Sequence, residues 1–169
     1  HLEPINHAGS TAWMIDQAIS SEGNSFARAL KCLQEARKTG VLASKIDKYC
    51  SVLECLYAIN KEHKKNIADI TAAFIGTDSE DRDDIRNHMR EAYGVRSDGS
   101  HGDNLKYLKQ NDTEQLKALS TMVDNYVRSV FRRVICQDSL NHDSTPESKA
   151  NTRAYFQTLM HAIYPPEVS

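Results

Sequence analysis

A chain of 169 residues, 40% hydrophobic and 26% charged, has the length and composition of one folded domain with a single sizeable core. No run of about eighteen apolar residues occurs, which excludes a membrane-spanning helix. A net charge of −2 argues against a protein that coats polyanions generally, but leaves room for RNA in a local basic pocket. The four cysteines, Cys32, Cys50, Cys55 and Cys136, lack the paired short spacings of a zinc site. They read as reduced, mostly buried thiols of a cytoplasmic protein. The first residue is His1, with no apolar signal segment, so the chain reads as an excised domain or trimmed product of a larger parent with further domains.

Residues 1–24 are expected to form an N-terminal arm or the end of a preceding segment, with Ser10 or Thr11 capping a short helix that carries Trp13, Ile15 and Ile19. The domain proper runs over 25–169. Phe26, Leu30, Leu33 and Arg37 follow a helical stripe that Gly40 is placed to stop. Ser44 is placed to cap a second helix with Ile46, Tyr49, Val52, Leu53, Leu56 and Tyr57 on its apolar face. After a polar junction over Asn60–Asn66, a third stripe of Ile67, Ile70, Ala73 and Phe74 ends at Gly76.

Thr77-x-x-Glu80 has the form of a capping box, and Asp78, Asp81, Asp83 and Asp84 suit the positive end of a helix better than a metal site. That fourth helix would turn Ile85, His88, Met89 and Ala92 inward and finish near Tyr93. A short Leu105–Leu108 piece follows. Thr113 then caps a long helix with Leu116, Leu119, Met122, Val123, Tyr126, Val130, Phe131 and Val134 inside. Ser144-x-x-Glu147, or Thr145 with Pro146 in the first turn, starts the last helix, whose Tyr155, Leu159 and Ile163 face inward before Pro165-Pro166. No sustained β-alternation appears. The pattern predicts an all-α bundle of five to seven helices.

The most irregular stretch of the chain's middle is Tyr93–Asn104. It gathers one arginine, one histidine, two serines and two aspartates, the residue types that metal-free phosphate chemistry uses. No phosphate-binding Gly-rich loop, His-Glu-x-x-His, Gly-x-Ser-x-Gly or EF-hand loop is present. Arg82 and His88 have a spacing similar to that of Arg96 and His101 but lie mid-helix among Glu80, Asp83 and Asp84, and read as structural.

Tyr93, Arg96, Ser97, His101 and Gly102 match, position by position, the Tyr-x-x-Arg-Ser-x-x-x-His-Gly pattern of the Apea-like branch of the HEPN superfamily. Leu53-Glu54 resembles that branch's upstream Leu-Glu segment. The chain is thus similar to HEPN domains over roughly 26–137, and the resemblance implies a HEPN-like helical bundle. One departure stands out. Asp98-Gly99-Ser100 occupies the place of a basic and two aliphatic residues, and Gly inside a helix costs about 1 kcal/mol relative to Ala, so a turn or frayed end is expected there.

The resemblance implies a metal-independent endoribonuclease without cofactor, cutting RNA by attack of the neighbouring 2′-hydroxyl. Arg96 would hold the phosphate and stabilise its developing charge, His101 would act as general base or acid, and Ser97 would hydrogen-bond the scissile phosphate. Tyr93 would stack on a base or finish the helix in the core. Asn104, Arg128 and Arg132 join it as substrate-binding candidates, with Lys61, Lys64 and Lys65 as a second basic strip. DNA lacks the internal nucleophile.

Residues five apart on a regular helix diverge by about 140°. Arg96 and His101 therefore need a local bend or a second copy of the motif. Family nucleases pair two motifs across a homodimer, so a homodimer is expected. Two further readings compete: a non-catalytic HEPN-like module that binds nucleotide or RNA, and a helical dimerisation domain of a larger protein. In these His101 caps a helix and Arg96 pairs with Asp98, Asp103 or Glu54.

Overall fold

The structure, a computed structural model, describes residues 24–100, 113–137, 140 and 145–166, with the backbone alone at 98–100. Among these residues lie six α-helices and no strand: α1 (Ser25–Lys38), α2 (Leu42–Tyr57), α3 (His63–Ile75), α4 (Ser79–Ser100), α5 (Thr113–Ile135) and α6 (Pro146–Ile163). The chain is an all-α helical bundle. Residues 1–23, with Trp13, Ile15 and Ile19, and the Leu105–Leu108 piece lie outside the described residues.

Local chemistry explains most helix ends, with a few shifts from expectation. The Asn24 side chain accepts from the Phe26 N–H at 2.7 Å and caps α1, while Arg37 and Lys38 sit against the negative end of its dipole. Gly40 is not in the left-handed region; α1 ends instead at an extended Thr39. α2 starts at Leu42, before Ser44, and Val41 precedes it with no side-chain cap. The box expected at Thr77 and Glu80 is displaced by one residue. Asp78 Oδ1 accepts from the Asp81 N–H at 3.0 Å, and Asp81 Oδ2 accepts from the Thr77 N–H at 2.9 Å. Thr145 caps α6 by accepting from the Ser148 N–H at 3.1 Å, with Pro146 in the first turn.

α4 runs seven residues past its expected end at Tyr93, through Gly94 and on to Ser100. The inward positions continue, with Ile85, Met89 and Ala92 followed by buried Val95 and then by Arg96, which is ion-paired to α2. Tertiary contact outweighs the penalty of the glycines in this segment, as is usual for helices in folded domains.

The core is centred on α2 and α3. The Phe156 ring of α6 packs on Tyr57 at 4.7 Å and Phe74 at 5.2 Å between centroids, and the Tyr57 hydroxyl bonds to the Thr71 hydroxyl at 3.1 Å, so the buried phenol is satisfied. Phe26 meets Phe131 edge to face. Two stripes differ from expectation by about one position. On α5, Val127 takes an inner place and Met122 is 38% exposed. On α6, Ser148, Thr152, Phe156 and Met160 face inward, Tyr155 and Leu159 are half-buried, and Ile163 is exposed. Of the cysteines only Cys50 is fully buried; Cys32 and Cys55 are half-buried and Cys136 is exposed, all as free thiols.

Candidate functional site

On α2, Asp47, Cys50 and Glu54 are three and four residues apart and share a face; on α4, Tyr93 and Arg96 do the same. Packing of α2 on α4 sets these faces together. Arg96 Nη1 lies 2.7 Å from Glu54 Oε2, and Arg96 Nε lies 3.1 Å from Asp47 Oδ1. The Arg96 guanidinium stands over the Tyr93 ring, 5.3 Å from its centre, and the Tyr93 hydroxyl donates to Glu54 Oε1 at 3.4 Å.

Glu54 has a third partner. His63 Nδ1 lies 2.8 Å from the same Oε1. The chain is brought back to Glu54 by two residues in the left-handed region, Ala58 (φ 53°), which ends α2, and Glu62 (φ 48°), which precedes α3. Non-glycine residues adopt this conformation only where the surroundings enforce it. Arg153 of α6 helps by donating from Nε to the Ala58 carbonyl at 2.9 Å.

The Glu54 carboxylate is more enclosed than either Arg96 or His63. The Glu54 side chain is 16% exposed, Arg96 23% and His63 38%. Burial works against the charge on Arg96, but hydrogen bonding to Glu54 and the charges of Glu54 and Asp47 outweigh it and hold its pKa above the ordinary value. Burial, then the Glu54 charge, pushes the Tyr93 phenol up. Burial alone dominates at Cys50, whose thiol is pushed up to about 12 and is inert at neutral pH.

Of the expected site residues, Tyr93 and Arg96 are therefore brought together, with Ser97 exposed beside Arg96 on α4. Arg128 and Arg132 lie on α5, where Arg128 Nε pairs with Asp124 Oδ2 of the same helix at 2.8 Å and Arg132 is exposed. Lys61, Lys64 and Lys65 are exposed around the start of α3. His101 and Asn104 lie outside the described residues. The acid partners expected for His88 are not the ones found: its Nδ1 lies 2.8 Å from the Tyr126 hydroxyl.

Sequence reasoning missed His63 and Asp47. His63 lies inside the lysine-rich junction, where the charge run drew attention away from it. Its contact with Glu54 depends on the two left-handed residues, neither of which is a glycine that would announce a turn.

A cavity of about 400 Å3 opens at the start of α3 and the end of α6, lined in part by Lys61, Lys65, Asp69, Arg86, Met160 and Tyr164. Among the described residues, no group of three or more His, Cys, Asp and Glu is disposed to hold a metal ion, and no helix is long and apolar enough to cross a membrane. No protein-family model matches the chain, and neither a curated protein nor a solved structure matches it.

Proposed function

We propose that this is a HEPN-like domain of the Apea-like type acting as a metal-independent endoribonuclease, with the Arg96 and His101 motifs of two subunits paired across a homodimer. The observation that supports it is the Arg96–Glu54 ion pair. The two stretches that carry the resemblance, Leu53-Glu54 and Tyr93-x-x-Arg96-Ser97, are 39 residues apart between Glu54 and Tyr93 yet meet side chain to side chain. Glu54 fixes the guanidinium, and a fixed fork of N–H donors is what phosphate binding and charge stabilisation require. Ser97 is exposed beside it for a further hydrogen bond.

The same pairing favours a second reading. Two carboxylates on one arginine lower the local attraction for a phosphate, and an arginine so engaged serves equally well to tie α4 to α2 in a non-catalytic helical module. Labelled single-stranded RNA incubated with the protein in EDTA separates the two, run beside Arg96→Ala and His101→Ala variants of unchanged helicity. Cleavage by the wild type that is lost in both variants supports the nuclease. No cleavage by any form selects the helical module.

A further inference from the structure

We propose that His63, oriented by Glu54, is the general base of this site, so that the imidazole that activates the nucleophile comes from the same subunit as Arg96. The proposal rests on the ribonuclease reading above and changes what His101 is needed for.

Three observations carry it. An ionised carboxylate can only accept hydrogen bonds, so the 2.8 Å contact between Glu54 Oε1 and His63 Nδ1 puts a hydrogen on Nδ1, and in the neutral ring the lone pair is then on Nε2. A carboxylate that fixes the tautomer and direction of an imidazole is the arrangement by which hydrolases prepare a histidine to take a proton. The second oxygen of the same carboxylate faces Arg96 Nη1 at 2.7 Å, so one side chain spaces a proton acceptor and an anion-binding group within a single cluster. The exposure gradient also has the required sense. Glu54 is enclosed at 16%, whereas His63 is open at 38%, so the orienting acid is withdrawn and the base is the accessible member.

The step balances without any co-reactant. The 2′-hydroxyl gives its proton to His63 Nε2 as its oxygen forms a bond to phosphorus. The bond from phosphorus to the 5′-oxygen breaks, and that oxygen leaves with the electron pair and takes a proton from water. The products are a 2′,3′-cyclic phosphate and a 5′-hydroxyl. Arg96 bears the charge that builds on the non-bridging oxygens. Tyr93, which donates to Glu54 Oε1 as His63 does, is a positioning residue here.

His63→Gln is the informative variant. Its amide can still donate to Glu54, so the structural contact survives, but it cannot accept and release a proton. Metal-free cleavage of labelled single-stranded RNA is measured as a function of pH for the wild type, His63→Gln, His101→Ala and Arg96→Ala, with thermal unfolding as the check on folding. The expected result is a fall in kcat of about 10²–10⁴-fold for His63→Gln with KM little changed, and loss of the limb of the pH profile that rises with pH. If His63→Gln retains the wild-type rate and profile while Arg96→Ala is inactive, His63 is only structural and the proposal is overturned with the nuclease reading intact. If the wild type does not cleave RNA, the nuclease reading fails and takes this proposal with it.

Discussion

The helix α4 carries two arginine–carboxylate–tyrosine clusters, one in its first half and one in its second, built from the same residue types to different effect. In the first, Asp69 of α3 faces two guanidiniums, with Oδ1 2.8 Å from Arg86 Nε and 3.4 Å from Arg90 Nη2, and Arg86 lies over the Tyr164 ring at 4.3 Å. In the second, the guanidinium of Arg96 faces two carboxylates, Glu54 and Asp47, over the Tyr93 ring. Asp69 is 3% exposed and both of its partners are guanidiniums; Glu54 is more open and one of its partners is an imidazole. The first arrangement is a clamp between α3 and α4. The second is a proton-transferring site only on the reading proposed above; in structure the two differ by one histidine and a more open carboxylate.

If that contrast is right, the clamp should fail by unfolding. Asp69→Ala leaves Arg86 and Arg90 without their buried counter-charge, and a loss of about 3–5 kcal/mol is expected in urea denaturation. Glu54→Gln keeps one acceptor oxygen, enough for only one of His63 and Arg96, but the position is less enclosed than Asp69 and the cost should be smaller, about 1–3 kcal/mol. Equal losses at the two positions would erase the distinction between the clusters.

Arginine removal tests the same contrast through activity. Arg96→Ala is expected to lower metal-free RNA cleavage by about 10²–10³-fold, whereas Arg86→Ala should leave the rate per folded molecule near the wild-type value while lowering the unfolding midpoint. Both are read from one set of cleavage assays and melting curves. Cleavage lost only in Arg86→Ala would move the site to the wrong end of α4.

How much of this was legible beforehand differs between the clusters for a physical reason. Tyr93, Arg96 and the Leu53-Glu54 segment were legible because a recognisable spacing on helices preserves which residues share a face. The Asp69 clamp was not, since a single acid in an apolar stripe between Ala68 and Ile70 carries no sign that two arginines will reach it from α4. The helical bundle itself followed from periodicity, but the α6 stripe did not. Tyr155, Leu159 and Ile163 are as apolar as Phe156 and Met160, and contact with Tyr57 and Phe74 decided between two faces of similar composition. The end of α4 is not legible because Gly94 and Gly99 carry local propensity, whereas Val95 is buried and Arg96 is paired to α2.

A smaller effect sharpens the picture of the clamp end. Gly76 follows α3, and a Cβ there would stand 2.4 Å from Arg82 Cγ and 2.5 Å from the Ala72 carbonyl oxygen. The arginine can move, but the carbonyl belongs to the last turn of α3. Gly76→Ala is therefore expected to cost about 1–3 kcal/mol by chemical denaturation, from overpacking and not from φ, which at −70° suits any residue. The two-cluster contrast predicts that RNA cleavage per folded molecule is unchanged in this variant.

The smallest effect lies on the other face of α2. Cys55 follows Glu54 in sequence but turns away from α4 to bond the Cys32 thiol of α1. That hydrogen bond lowers the Cys32 pKa to about 7 against the opposing effect of burial, and the same contact pushes Cys55 up. A thiolate is the reactive form, so alkylation of Cys32 by iodoacetamide should rise with pH and reach half its limiting rate near 7, while Cys50, pushed up to about 12 by burial, stays unmodified in the folded protein. Mass spectrometry of peptides after short pulses from pH 6 to 9 measures both. Replacing Cys55 by Ala removes the partner and should move the Cys32 midpoint upward. Because Asp47 also acts on Cys32 by raising its pKa, Asp47→Asn should move it slightly downward, which would tie this surface electrostatically to the Arg96 cluster. A Cys32 midpoint unmoved by either change would separate the two faces of α2 completely.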